Sequence, residues 1–223
     1  MMGEVPFLSV SVIIKVVVAS ILFGLTSLFF SELTHGLKRL FTKVLPNPML
    51  KSAAGGAILI LLVYIMGTRD YLGLGIPLLS QSFEGAVEPL AFAWKILFTS
   101  LTLGAGFQGG EVTPLFVIGA TLGNALADLL GLFGPFLAGL GLIAVFSGAT
   151  NTPLACFVMG IELFGSEGLV YMFIACVVSY LVSGHTGIYG SQRIGFGKTH
   201  KMMFAEHTTL ASIRVKEKPR SRE

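Results

Sequence analysis

The feature that most constrains this chain is a repeated one: apolar runs at 16–31, 53–66, 89–102, 112–127, 129–161 and 168–184, punctuated by glycine and proline. A simple membrane crossing needs about 20 apolar residues, and several of these runs are shorter. Mean hydropathy is +0.82 and only 12% of residues are charged, against roughly a quarter in a soluble domain. Lipid is therefore the expected solvent. Short, glycine-broken segments suggest helices that stop partway across the bilayer, where irregular backbone lines a cavity. The expected fold class is an all-α membrane protein with short, broken and tilted helices.

The breaks define the expected elements. A long helix over 5–35 ends near His35 and Gly36, and a basic loop follows, closed by Pro46, Asn47 and Pro48. A second helix covers 50–66, with Gly55 and Gly56 as packing points, because small residues let backbones approach in lipid. The stretch "YLGLGIPLLSQSFEGAVEP" reads as irregular. Helices are then expected over 90–103, from Pro114 to about Leu130, up to Ser147, from Pro153 to Phe164 and from Gly168 to Ser183. Gly119 and Gly123 form a further small-residue spacing.

The net charge of +3 is a topology signal rather than a nucleic-acid footprint. Lys38, Arg39, Lys43 and Lys51 cluster after the first run, and a second basic cluster extends from Arg193 to Arg222. Cytoplasmic loops carry the excess of Lys and Arg, so both clusters are expected inside and the acidic linker around Asp70, Glu84 and Glu88 outside. This divides the chain into a membrane domain, 1–195, and a basic cytoplasmic tail, 196–223. Cys156 and Cys176 lie in apolar runs and read as small buried hydrophobes rather than a disulfide. No Ser-His pairing, paired aspartates or metal-ligand spacing occurs, and "GAGFQGGEVTP" lacks the Gly-Lys-Ser/Thr ending of a P-loop. Neither an enzyme, a cofactor nor a metal site is expected.

Two breaks, "GGEVTP" and "GATNTP", share a pattern in which a small residue and a polar one precede Thr-Pro and an apolar helix. Proline suits the first helical position because its missing N–H would be unsatisfied there anyway. Thr113 and Thr152 are accordingly the expected N-caps, and Pro114 and Pro153 the helix starts. A free helix N-terminus attracts anions through its N–H groups and dipole, and Gly109 and Gly110 let an ion approach the backbone. For Glu111, desolvation favours the neutral form and the helix terminus favours the charged one. That balance suits a carboxyl that exchanges protons beside an anion path; the plainer reading is a helix cap or a group in a wet vestibule. Tyr189, in "SGHTGIYGSQR", either donates its hydroxyl to an anion or anchors the chain at the interface. Lys95 and Glu162 read as structural or snorkelling groups.

These residues carry a resemblance. "GGEVTPLFVIGATLGNALA", "GATNTPLACFVMGIEL" and "GIYG" occur in the order found in the second half of CLC chloride channel and transporter proteins, and the similarity spans about 8–195. Glu111 and Thr113 around Val112 resemble the fluoride-exporting branch, where chloride carriers usually have apolar residues. The resemblance implies a second inverted repeat of a homodimeric fluoride/proton antiporter in a bacterial inner membrane. Glu111 and Thr113 would line the path, the N–H groups of Glu111 and Val112 would face the anion, and Tyr189 would close the site from the cytoplasm. The first repeat, with its Gly-Arg-Glu-Gly-Pro-like and Gly-Ser-Gly-Ile-Pro-like segments, is absent from this sequence. The chain is thus expected to be a half or fragment that needs a first-repeat partner. The alternatives are a non-transporting scaffold or truncated remnant beside an intact transporter, and a chloride-selective half.

Overall fold

A computed structural model describes residues 2–194, 198 and 208–212 of the chain. Its first helix, α1 (Val10–Val44), begins where the Ser9 hydroxyl accepts the N–H of Val12 at 3.3 Å. It does not stop at Gly36, and the expected basic loop is its last two turns. A helical glycine costs roughly 1 kcal/mol, but Leu37 and Phe41 beyond it pack into a cluster with Leu101 and Ala105. Burial outweighs propensity there. The second helix, α2 (Pro48–Met66), starts two residues before the expected 50, because Pro48 fits its first turn: Asn47 caps it through a 2.9 Å bond from the N–H of Met49, and Gly67 ends it at φ 68°.

The third helix, α3 (Ile76–Glu84), corrects the expectation of an irregular stretch. Gly75 adopts φ 77° to turn the chain, Pro77 sits in the first turn, and Leu78 and Ser82 are buried one turn apart. Glycine and proline flank this helix rather than break it, so punctuation density hid a two-turn apolar face. The remaining helices are α4 (Ala91–Gly104), α5 (Val112–Leu130), α6 (Gly134–Thr150), α7 (Pro153–Phe164) and α8 (Leu169–Val182). Among the described residues three helices, α1, α2 and α5, are long and apolar enough to cross a membrane, whereas α4, α6, α7 and α8 are shorter apolar helices. At 1.5 Å per residue, the 12 residues of α7 extend about 18 Å, well short of a bilayer core of about 30 Å.

The centre of the molecule is α6, buried on nearly its whole circumference. A helix apolar all round belongs in the interior, and glycine lets its neighbours reach its backbone. A Cβ on Gly119 would strike the Gly141 carbonyl, and one on Gly123 the Leu137 carbonyl, so the α5–α6 contact is backbone against backbone. Buried hydroxyls fasten the other side. Ser27 donates to the carbonyl of Val145 at 2.8 Å, Ser179 to that of Ala144 at 2.6 Å, and Ser147 to that of Cys176 at 2.9 Å. These bonds join α1, α6 and α8, while Gly148 leaves room between Ser27 and Ser179. Both cysteines are buried and free.

Side chains also fix the links between helices. Asn124 on α5 donates to the carbonyls of Ser82 and Gly85 and accepts from the N–H of Val87 at 3.0 Å, bracing the α3–α4 connection. Lys95 is fully buried and does not snorkel; its ammonium donates to the carbonyls of Tyr71 at 3.1 Å and Gly73 at 2.8 Å, pinning the α2–α3 loop. The Tyr71 hydroxyl in turn donates to the Glu88 carboxylate at 2.7 Å.

Two measurements check this packing. Gly123→Ala is expected to lower the thermal unfolding midpoint in detergent, since overpacking costs about 1–3 kcal/mol and a carbonyl cannot swing aside. Gly56→Ala, whose Cβ would meet only the Phe107 ring at 3.7 Å, is expected to be neutral or slightly stabilising. The Tyr71 phenol is pushed up from 10.0 to about 12 by burial, then by its bond to Glu88 and the charges of Glu88 and Asp70. Because the folded value is the higher, its stabilisation is complete below pH 10 and lost as pH rises through about 12. An absorbance titration is expected to show this late phenol and Tyr71→Phe to remove it.

Candidate functional site

The chain leaves α4 at Gly104 and turns through Gly106 at φ 91°. From Gly106 to Gly110 it is exposed before entering α5. A Cβ on Gly109 or Gly110 would meet no atom within 4 Å, so the space before the helix is open. The helix starts two residues earlier than expected: Glu111 is the N-cap, Thr113 lies inside the first turn, and Pro114 follows it. The reason is that every N–H of a first turn lacks an intrahelical acceptor, so proline is tolerated at any of those positions. Thr113 therefore caps nothing.

Glu111 makes no capping bond with its side chain, and its carbonyl accepts from Leu115 at 3.2 Å. The N–H groups of Val112 and Thr113, ahead of Pro114, are left without acceptors among the described residues. The N–H of Glu111, expected from the resemblance to face the anion together with that of Val112, likewise has no acceptor among the described residues. They point out of the helix start with the positive end of its dipole.

The second break matches its expectation more closely. Thr152 is the N-cap of α7 and Pro153 its first residue. The threonine hydroxyl does not bond the helix backbone; it pairs with the Thr150 hydroxyl at 2.6 Å and approaches the Cys156 sulfur at 3.5 Å. Asn151, just before it, ends α6 in the left-handed region at φ 57°. Asparagine is the residue that most often takes this role after glycine, and "GATNTP" carries that signal.

Asn151 organises the loop that carries Tyr189. Its amide donates to the Thr186 carbonyl at 2.9 Å, the N–H of Ile188 donates to the carbonyl of Ala149 at 3.0 Å, and the Gln192 amide donates to that of Thr150 at 3.1 Å. Gly187 is required, because a Cβ there would lie 2.7 Å from the Asn151 amide nitrogen. Tyr189 is 45% exposed and its carbonyl accepts from the N–H of Gln192 in a turn. His185 accepts the N–H of Lys198 on Nε2 at 3.0 Å, and its pKa is lowered by burial and by the Lys198 charge.

One stretch of α1 faces both features. His35 Nε2 lies 3.0 Å from the Gly187 carbonyl, while Lys38, one turn on, is within electrostatic range of Glu111. Gly104 lets α4 press against Leu37 and the Lys38 backbone. The last turns of α1 thus reach both the α5 start and the Tyr189 loop. The Thr152–Pro153 break reaches the same loop through Asn151. Sequence reasoning had given His35 and Asn151 no part in the site. The basic residues Lys201, Arg214, Lys216, Lys218, Arg220 and Arg222 lie outside the described residues.

Apolar helices of this length, three of them long enough to cross a bilayer among the described residues, are those of an integral membrane protein. The chain belongs to the voltage gated chloride channel family, whose profile matches residues 2–184. It is 47% identical over 218 residues to the Chloride/fluoride channel protein of Pseudomonas syringae pv. tomato, covering 95% of this chain and 48% of that protein. It is also 30% identical over 172 residues to an uncharacterized protein of Methanocaldococcus jannaschii, covering 72% of this chain and 43% of the other. The crystal structure of a CLC-type fluoride/proton antiporter superposes with a TM-score of 0.82 at 36% identity, over 85% of this chain and 48% of that one. The chain spans about half the length of these relatives.

The organising role assigned to Asn151 has a direct test. Asn151→Ala places an alanine in the left-handed region, at about 1–2 kcal/mol, and removes the tie to Thr186. Hydrogen exchange at the Ile188 amide is expected to accelerate. Asn151→Gly, which keeps the backbone comfortable, is expected to accelerate it less.

Proposed function

We propose that this chain forms one half of an anion pathway, the second inverted repeat of a fluoride/proton antiporter that functions with a first-repeat half. The observation that carries the reading is the start of α5: an uncapped helix end with unpaired N–H groups, open space at Gly109 and Gly110, and a carboxyl at Glu111 beside it. A small, strongly hydrated anion loses most of its water only if compact donors replace it, and backbone N–H groups at a helix start supply them. The names of the Pseudomonas relative and of the antiporter structure support fluoride as the ion, with chloride as the alternative cargo.

In this reading Gly109, Gly110, Val112 and Thr113 border the anion, and Tyr189 closes the path from the cytoplasm. Glu111 exchanges a proton beside the path, its neutral form being favoured while an anion is close, because two neighbouring negative charges repel. Pro114 fixes the first turn of α5 without adding a donor, while Thr152 and Pro153 set a second helix start behind the Tyr189 loop. Residues 1–195 act as the membrane domain in a bacterial inner membrane, the tail from 196 lies in the cytoplasm, and the assembly is a homodimer. The broad apolar surface of α2, on which only Gly55 is buried, suits contact with lipid or a partner helix.

Two experiments test the reading. Co-expression with a first-repeat chain is expected to restore fluoride resistance to a sensitive strain; a stable complex without transport would favour the scaffold. In proteoliposomes of the two-half assembly, Glu111→Gln is expected to abolish proton-coupled fluoride efflux. Undiminished coupled efflux by that variant would remove Glu111 from the mechanism.

A further inference from the structure

Beneath the Tyr189 loop lies a cavity of about 250 Å³, separate from the start of α5 and lined by Asn151, Tyr180, His185, Gln192, Arg193 and Lys198, with Ile194 and Leu210 closing one side. It exists because the chain folds back on itself. Ile194 donates its N–H to the Thr208 carbonyl at 2.9 Å, Leu210 to that of Gln192 at 3.1 Å, and Ala211 to that of Gly190 at 2.9 Å. The volume is below the roughly 300–1,000 Å³ typical of sites for drug-sized ligands, so a compact occupant is required.

The wall chemistry is one-sided. Among the described residues Arg193, Lys198 and His185 line the cavity and no carboxylate does. The Lys198 ammonium donates to the Tyr180 carbonyl at 2.6 Å and the Ser183 hydroxyl at 3.2 Å and stands 3.8 Å over the Tyr180 ring. An ammonium has three N–H donors, so one remains. Arg193 adds a guanidinium whose fork matches an oxyanion. The Asn151 Oδ1 atom is buried with no hydrogen-bond partner, its amide nitrogen being committed to Thr186 and Gln192. A buried acceptor left unpaired costs about 1–3 kcal/mol. The occupant must therefore accept from the cations and also donate one hydrogen bond.

We propose that this cavity is a binding site for a phosphate that retains a proton, whether free inorganic phosphate or the monoester headgroup of an anionic lipid. Its oxygens accept from Arg193 and Lys198, and its remaining O–H donates to Asn151 Oδ1. Sulfate, which is fully ionised near neutrality, meets the cations equally well but has nothing to give Asn151. Burial draws the Lys198 pKa down to about 7, so a bound anion relieves a cation that is otherwise poorly solvated. Because Asn151 and Gln192 hold the Tyr189 loop, the occupant also stiffens that loop. The effect on transport rests on the proposed role of Tyr189, whereas binding itself does not.

The test measures binding without transport. The full chain in detergent at pH 6.5 is titrated calorimetrically with inorganic phosphate and with sulfate, and in parallel captured on vesicles with and without phosphatidic acid. Saturable phosphate binding, with sulfate at least about ten-fold weaker, supports the site with a free anion. Selective capture by phosphatidic acid vesicles without phosphate binding supports it with a lipid headgroup. Arg193→Gln changes an exposed side chain and is expected to weaken either signal at least about ten-fold. Binding that Arg193→Gln leaves unchanged, sulfate as tight as phosphate, or no binding in either arm overturns the proposal. Loss of transport on Glu111→Gln with phosphate binding intact separates this site from the pathway.

Discussion

The structure depends on one requirement of its solvent: inside lipid, every backbone N–H and C=O must find a partner within the protein. The chain meets it by making nearly all of its membrane portion helical and packing the short helices around α6. Glycine is what makes that packing possible. At Gly119, Gly123 and Gly141 the helices touch through backbone, and where the contact loosens, Ser27, Ser147 and Ser179 donate across the gap to helix carbonyls. Hydroxyls and absent side chains act together, because both let one helix lie close to another without leaving a polar atom bare.

The candidate site is where that requirement is deliberately left unmet. A helix start has donors that its own turn cannot satisfy, and at α5 neither a capping hydroxyl nor the Glu111 side chain supplies an acceptor. The surrounding architecture keeps the opening in place. Asn124 braces the far connection between α3 and α4, Lys95 pins the loop before α3, and His35 and Asn151 hold the loop with Tyr189 on the other side. An unsatisfied helix end surrounded by over-determined loops is a coherent arrangement for a ligand that comes and goes. The chain superposes on about half the length of the antiporter structure it resembles.

Much of this was legible in the residues. The break at Pro153 fell where predicted, and that at Pro48 within two residues of it, because proline acts locally through a missing donor and a fixed φ. The failures were also physical. Gly36 looked like a helix end, yet Leu37 and Phe41 gain more from burial than the glycine loses. Thr113 looked like a cap, yet a proline in the first turn does not say which residue of that turn begins it. The segment containing α3 looked irregular because its apolar face is only two turns long.

The sequence by itself determined the solvent, the helical class and the places where helices break, since each follows from side-chain transfer free energies and local dihedral limits. It also marked Glu111 as a carboxyl out of place among apolar residues. Only the tertiary structure decided which breaks face one another. That His35 reaches Gly187 across 152 positions of sequence, and that the chain beyond α8 returns to enclose a basic cavity, are outcomes of long-range packing. No local property of those residues encodes them, because the partner that gives each its meaning lies far away along the chain.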